Sequence, residues 1–283
     1  MYSRNHTTLT PDDRRFWWWT SDEMAAFDLP SMVKLVLSFS GANQLIYVGH
    51  SEGTSIAFAG LSTNDWLSDH IRLVVALAPV AKVGQIKGPI WAMLPYSLEI
   101  TAALELMGTG ELLPNSEFTK WIGRNVCMAD LLSLKLCVEA IKLIVGPGTN
   151  SFNVSRIPVY LSHIPAGSSV LNALHFFQGV KTDRFQMMDF GVIENLKRYG
   201  QVAPPLYDPS RIRVPVGLFW SIIDTLADPE DLQWLIKTLD PTILVANHLY
   251  TQYSHVGFIW SPFAHFDLYN DVIELIKKYQ SNN

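Results

Sequence analysis

Gly49-His50-Ser51-Glu52-Gly53 constrains this chain more than any other stretch. A short apolar run, Leu45-Ile46-Tyr47-Val48, precedes it and a small-residue segment, Thr54 to Leu61, follows it. The first reads as a buried strand and the second as a helix. A Gly-x-Ser-x-Gly pentapeptide in that setting predicts a serine on a strained strand-to-helix turn. Its two glycines leave room for neighbouring backbone, and the first N–H groups of the helix face a developing oxyanion. The competing reading is a glycine-rich turn carrying a solvated serine.

The rest of the chain supplies the scaffold that such a turn needs. With 283 residues, 48% of them hydrophobic and 17% charged, it can bury the core of one large domain with an insertion. A net charge of −5 without a basic stripe excludes nucleic acid as a partner. No apolar run approaches the roughly 18 residues of a transmembrane segment, and Met1 to Arg15 contain no signal-peptide core. Asp28 as cap, Pro30 in the first turn, and Met32, Val33, Leu35, Val36 and Phe39 as apolar face predict a helix ending at Gly41. Strands are expected at Ile71–Ala78, Val214–Trp220 and Thr242–Ala246, and helices at Pro229–Leu239 and Asp267–Tyr279. Between them lie helical blocks at Ile100–Met107, Phe118–Val126 and Leu131–Val145. The pattern predicts an α/β fold with a mostly parallel sheet, interrupted by a helical cap. Residues 1–82 and 211–283 would form the core and 83–210 the cap. In that cap Leu131, Leu132, Leu134, Leu136, Ile141, Leu143 and Ile144 are expected to be core. Cys127 and Cys137 lie ten apart; on one continuous helix they would stand roughly 15 Å apart, so free thiols are expected. Asn5 and Asn153 open N-x-Ser/Thr glycosylation sequons. The run Trp17-Trp18-Trp19 is expected to pack at the edge of the core rather than to anchor in an interface.

A nucleophilic serine needs a base and a group to orient that base, in the chain order Ser, acid, His on such a scaffold. Asp224 follows the Val214–Trp220 strand by a few residues and fits the acid. Its rival Asp228 precedes Pro229 and is explained as a helix N-cap. For the base, position leaves His248, His255 and His265 in play, with His255 central in its loop. No metal-ligand spacing appears, and no cofactor is called for.

Several segments together resemble the acid lipase family, the gastric and lysosomal lipases of the α/β-hydrolase superfamily. They are Phe16-Trp17, Ser21 to Ala25, Asp28-Leu29-Pro30, Tyr47 to Thr54, Ala76 to Ala81, Asn153 to Arg156 and Pro165 to Val170. Within the cap, His175 and Gln178 share a family spacing. Asp224-Thr225-Leu226-Ala227-Asp228-Pro229 looks like the family's acid motif, and His255 to Trp260 like its histidine motif. The resemblance implies a catalytic triad of Ser51, Asp224 and His255, with the Glu52 backbone N–H in the oxyanion hole and Gly49 and Gly53 as elbow glycines. It implies a serine lipase acting through an acyl-enzyme on triacylglycerols or sterol esters at a lipid–water interface, in a secreted or lysosomal protein. A carboxylesterase of soluble esters and a non-catalytic hydrolase-like protein binding lipid or a partner are the rival readings.

Two departures from the family pattern stand out. Glu52 occupies the position of a family glutamine; ionised beside His255, it would favour the imidazolium and move the pH optimum upward. The elbow also arrives at residue 51, with no strand legible before Leu45 and no His-Gly loop for a second oxyanion donor. The expectation is an α/β-hydrolase lacking its first strands, an N-terminally truncated family member, poorly soluble and weakly active by itself.

Overall fold

The computed structural model describes residues 4–89, 92, 94–96, 110–148 and 152–280. The expected helix at Ile100–Met107 lies outside the described residues. The described residues include six strands: β1 (Leu45–His50), β2 (Ile71–Leu77), β3 (Glu111–Leu112), β4 (Ser168–Ser169), β5 (Val216–Ser221) and β6 (Leu244–Tyr250). β1, β2, β5 and β6 form one parallel sheet in that order, while β3 and β4 make a separate antiparallel ladder. The helices that matter for the site are α1 (Leu29–Ser40), α2 (Glu52–Thr63), α3 (Asp65–His70), α4 (Leu131–Val145), α5 (Val170–Thr182), α6 (Pro229–Thr238) and α7 (Leu268–Gln280). None of the helices among the described residues is long and apolar enough to cross a membrane.

The central strands carry apolar runs, Leu73–Leu77 in β2 and Val216–Trp220 in β5, because both of their faces are covered. From β2, Ile71, Val74 and Ala76 pack on one side with Leu29, Phe58, Leu61, Leu218 and Leu235. Leu73, Val75 and Leu77 pack on the other with Phe219, Phe258, Leu268 and Leu275. α1, α2 and α6 therefore cover one face and α7 the other. The ladder aligns His50 with Leu77, Leu77 with Phe219, and Ser221 with Tyr250. The carboxyl ends of β1, β5 and β6 thus come level, which is where a parallel sheet holds its ligands.

Several expectations need correcting. Helical backbone begins at Ser21, where Thr20 and Glu23 form a reciprocal capping box, and a π-turn over Met24–Asp28 leads into α1. Asp28 itself is helical and makes no side-chain cap. Gly41, at φ 69°, ends α1 in the left-handed conformation that a side chain would resist. Of the expected α1 face only Val33 is buried; Met32, Leu35, Val36 and Phe39 are exposed, Phe39 to 85%. β1 is the edge of the described sheet rather than a buried strand, and Val48 is half exposed. β6 runs to Tyr250, four residues past its expected end.

Cys127 and Cys137 are bonded, not free: they form a disulfide with their Cα atoms 5.7 Å apart. The assumption of a continuous helix fails because the chain turns at 127–130 before Asp130 caps α4. α4 packs inward through Leu134, Cys137, Val138 and Ile141 against Phe152 and Ile157. Leu131, Leu132, Leu136, Leu143 and Ile144 are exposed, Leu131 to 85%, and do not form the cap core. The last carbonyl of α4, on Val145, accepts the His255 N–H at 3.0 Å. Closing a ten-residue separation restricts the unfolded chain by about 3 kcal/mol. Replacing both cysteines with alanine is therefore expected to lower stability by about 2–3 kcal/mol. The His255 amide should exchange its hydrogen faster as α4 loosens, and unchanged exchange there would show that α4 needs no covalent tie.

Candidate active site

Ser51 stands between β1 and α2 at φ 55° and ψ −123°, a conformation that costs a non-glycine residue of order 1–3 kcal/mol. Its N–H donates to the Leu77 carbonyl, and its own carbonyl accepts the N–H and hydroxyl of Thr54. Thr54 Oγ1 in turn accepts the Val80 N–H at 2.8 Å, tying the turn to the segment after β2. The elbow glycines are not equivalent. A Cβ on Gly49 would lie 2.8 Å from the Tyr47 ring and 3.0 Å from the Gly53 carbonyl group. A Cβ on Gly53 would meet only the Tyr47 hydroxyl, at an ordinary 3.5 Å. The close approach requires Gly49. Glu52 opens α2, so its N–H is one of the first-turn donors that have no acceptor within the helix.

Asp224 lies in the turn after β5, 2% exposed, and its Oδ1 accepts the N–H groups of Leu226 and Ala227, both at 2.9 Å. His255 follows β6 and is 5% exposed. Its Nδ1 lies 2.9 Å from Asp224 Oδ2, and its Nε2 lies 2.6 Å from Ser51 Oγ. A carboxylate on one side and a hydroxyl on the other assign the ring proton to Nδ1, leaving Nε2 to accept the Ser51 proton. Ser51, Asp224 and His255 are thus brought together from three strand ends. The rivals are elsewhere. Asp228 caps α6 through the Glu230 N–H and pairs with Lys87 at 2.6 Å. His248 belongs to β6 and stacks on Phe219, and His265 lies against Phe266.

The backbone of His255 is held by groups that sequence reasoning passed over. Besides the Val145 carbonyl, His50 Nε2 donates to the His255 carbonyl at 2.9 Å. Tyr253 and Tyr250 fix the loop to the start of α7 through Asp267 and Asp271. Burial, and then the neighbouring imidazole of His255, hold the His50 pKa down to about 4. The unfolded chain takes up this proton near pH 6.5 and the folded protein only near pH 4, so stability falls as pH drops through that window. Between pH 7 and 4.5 the loss is about 2–3 kcal/mol. Burial runs the opposite way at Asp231, raised to about 6, and at Asp22, so only the difference between variants isolates His50. His50→Gln should lose about 2–3 kcal/mol less than the parent between those pH values in urea melts. Equal losses would show that His50 carries no acid penalty.

The Glu52 carboxylate takes another partner than the imidazole: Asn172 Nδ2 donates to its Oε1 at 2.6 Å. His175 in α5 accepts from or donates to Ser21 Oγ at 3.1 Å and donates through Nε2 to the Gln186 carbonyl. Gln178 bonds both backbone groups of Asp189. His175 and Gln178 join α5 to its surroundings and are not among the triad contacts. Trp17 is buried with its indole N–H on the Pro11 carbonyl, while Trp18 is exposed. Asn5 and Asn153 are exposed.

No family model matches the chain. It is 38% identical over 282 residues to the human lysosomal acid lipase/cholesteryl ester hydrolase, spanning 99% of this chain and 69% of that protein. Identity to the human gastric triacylglycerol lipase is 37% over 280 residues, 98% of this chain and 69% of the relative. The Lipase lipl-1 of Caenorhabditis elegans is likewise 37% identical over 280 residues, with the same shares of each chain. Among solved structures the likeness is one of fold. A putative lipase from Sulfolobus solfataricus superposes with a TM-score of 0.57 at 14% identity, covering 95% of this chain and 70% of the other. A soluble variant of monoglyceride lipase from Saccharomyces cerevisiae gives 0.53 at 14% identity, covering 96% and 74%.

Proposed function

This chain belongs to the family of gastric and lysosomal acid lipases, and from that premise we propose that it is a serine lipase hydrolysing carboxylic esters of neutral lipids. The observation that carries the reading is the unbroken line of contacts from Asp224 through His255 to Ser51, at 2.9 and 2.6 Å. His255 Nε2 takes the Ser51 proton as Oγ bonds to the ester carbonyl carbon. Asp224 holds the imidazole in its Nδ1–H tautomer and offsets the charge that the ring gains. The Glu52 N–H donates to the tetrahedral oxyanion. Collapse breaks the ester C–O bond, and the alcohol leaves with the proton from His255. A water molecule then repeats the sequence on the acyl-enzyme and releases the fatty acid.

A lipid rather than a soluble ester is favoured by the cap surface. The outward residues of α4, Leu131, Leu132, Leu136 and Leu143, are apolar and exposed, as are nearby Phe118 and Trp121 in sequence. Such a face suits a lipid–water interface, whereas a carboxylesterase of dissolved esters has no use for it. Triacylglycerol and sterol ester are both substrates of this class. The disulfide and the two exposed sequons support passage through an oxidising compartment, to the outside or to the lysosome.

A fluorophosphonate probe should label the protein stoichiometrically at Ser51, and hydrolysis of emulsified long-chain ester should exceed that of dissolved short-chain ester. Absence of labelling would leave a binding protein, and a preference for the dissolved ester would leave a carboxylesterase.

A further inference from the structure

Glu52 belongs to two parts of the molecule at once. Its N–H stands at the first turn of α2, beside Ser51, where the proposed reaction places the oxyanion. Its carboxylate reaches away from the elbow to Asn172 in α5. At 2.6 Å from an amide to a carboxylate, this is a charge-assisted hydrogen bond, about twice as strong as a neutral one.

Asn172 is built to hold its end of that bond. It is 8% exposed, and its own N–H is taken by Ser169 Oγ at 3.1 Å, the N-cap of α5. Ser169 is fully buried, and its hydroxyl donates to the Trp19 carbonyl at 2.7 Å. The backbone of Asn172 is thus anchored through two successive bonds to the segment that leads into the capping box at Thr20, and its side-chain amide reaches Glu52 and, at 3.5 Å, Ser168 Oγ. The peptide that carries the Glu52 N–H is held on its other side, where the Ser51 carbonyl accepts the Thr54 N–H and hydroxyl at 2.8 and 2.6 Å. Directly after a residue in a strained conformation, the bond to Asn172 adds a side-chain tether on the Glu52 side of that peptide. Oxyanion donors work only when held within about 0.5 Å and 10–20° of their target.

We infer that Asn172 is a positioning residue for the hydrolysis: it fixes Glu52, and with it the oxyanion N–H, by tying the start of α2 to α5. The inference rests on the proposed role of Ser51. Asn172 touches neither Ser51 nor His255 and acts only through Glu52. The same bond keeps the Glu52 carboxylate engaged on the cap side of the elbow. A side chain that merely stabilised α5 would affect folding but not the rate at which a folded molecule forms its acyl-enzyme.

The test exchanges donor and acceptor across the pair. Asn172→Ala should lower kcat on a dissolved p-nitrophenyl ester about tenfold with KM changed less than twofold, since an oxyanion donor acts in the transition state. The rate of fluorophosphonate labelling should fall in parallel. Asn172→Asp sets two carboxylates against each other and should cost about a hundredfold. Adding Glu52→Gln to Asn172→Asp restores one amide facing one carboxylate, with the donor now on α2, and should return kcat to within about threefold of the parent. Recovery in that double variant supports the inference even if Asn172→Asp alone fails to fold. Additive losses in a double variant that melts at the parent's temperature would overturn it, as would parental kcat and labelling rate in Asn172→Ala. A parent protein that does not label at Ser51 would overturn the proposed function and this inference together; a parent that labels while the exchange gives no rescue overturns the inference alone.

Discussion

Replacing Ser51 with alanine is expected to lower kcat by about a million-fold, and adding His255→Ala to that variant is expected to cost almost nothing more. Both outcomes come from one geometric fact. Ser51 Oγ and His255 Nε2 lie 2.6 Å apart on a single proton path, so in the proposed reaction the serine is a nucleophile only while the imidazole can accept from it. Removing either atom removes the covalent route entirely, and the second deletion finds nothing left to remove. The residual rate would come from substrate binding and the Glu52 N–H. Neither substitution should unfold the protein. Ser51 keeps its unusual backbone through Leu77, Thr54 and Val80, none of which bonds to its hydroxyl. KM should stay within about threefold of the parent, because the deleted interaction belongs to the transition state. Initial rates on a dissolved ester, with fluorophosphonate labelling as control, decide the matter. A Ser51→Ala variant retaining even one hundredth of the parental rate would place the nucleophile elsewhere.

What the sequence disclosed about this arrangement follows from the range of the interactions involved. The elbow was legible because a strand, a tight turn and a helix are local, and the glycine nearest the crowded side of the turn lies two residues before the serine. β2, β5, α4, α6 and α7 were legible for the same reason: apolar period, caps and prolines act within one or two turns. Asp228 as an N-cap is read directly from Pro229, and its carboxylate accepts the Glu230 N–H. Three kinds of feature were not legible. Exposure depends on what packs alongside, so Val48 and the outer faces of α1 and α4 read as buried although they are not. The disulfide depends on the turn between two helical pieces, which no periodicity reports. The partner of Glu52 depends on a contact spanning 120 residues. The choice among three histidines likewise needed the family's own motif, since position in a loop does not say which ring faces the serine.

Asp224→Asn is expected to lower kcat by about ten-thousand-fold while leaving the fold intact. The reason lies in which oxygen is already committed. Oδ1 accepts the N–H groups of Leu226 and Ala227 at 2.9 Å each, and only an acceptor can take that place. An asparagine must therefore keep its carbonyl oxygen there and present its NH2 at the position of Oδ2, the nearer of the two oxygens to His255 Nδ1 at 2.9 against 3.1 Å. The imidazole answers by accepting at Nδ1 and carrying its proton on Nε2. In that tautomer the ring donates toward Ser51 and cannot take its proton, so the base is absent although every heavy atom is in place. The two backbone bonds survive, and the melting temperature should move by only a few degrees. Asp228→Asn gives the opposite profile. Its carboxylate caps α6 and pairs with Lys87, without touching His255, so stability should fall by about 1 kcal/mol with kcat nearly unchanged. Ring nitrogen shifts in a spectrum of labelled histidine would report the tautomer directly. An Asp224→Asn protein that kept Nδ1 protonated, or a loss of rate confined to Asp228→Asn, would transfer the orienting role away from Asp224.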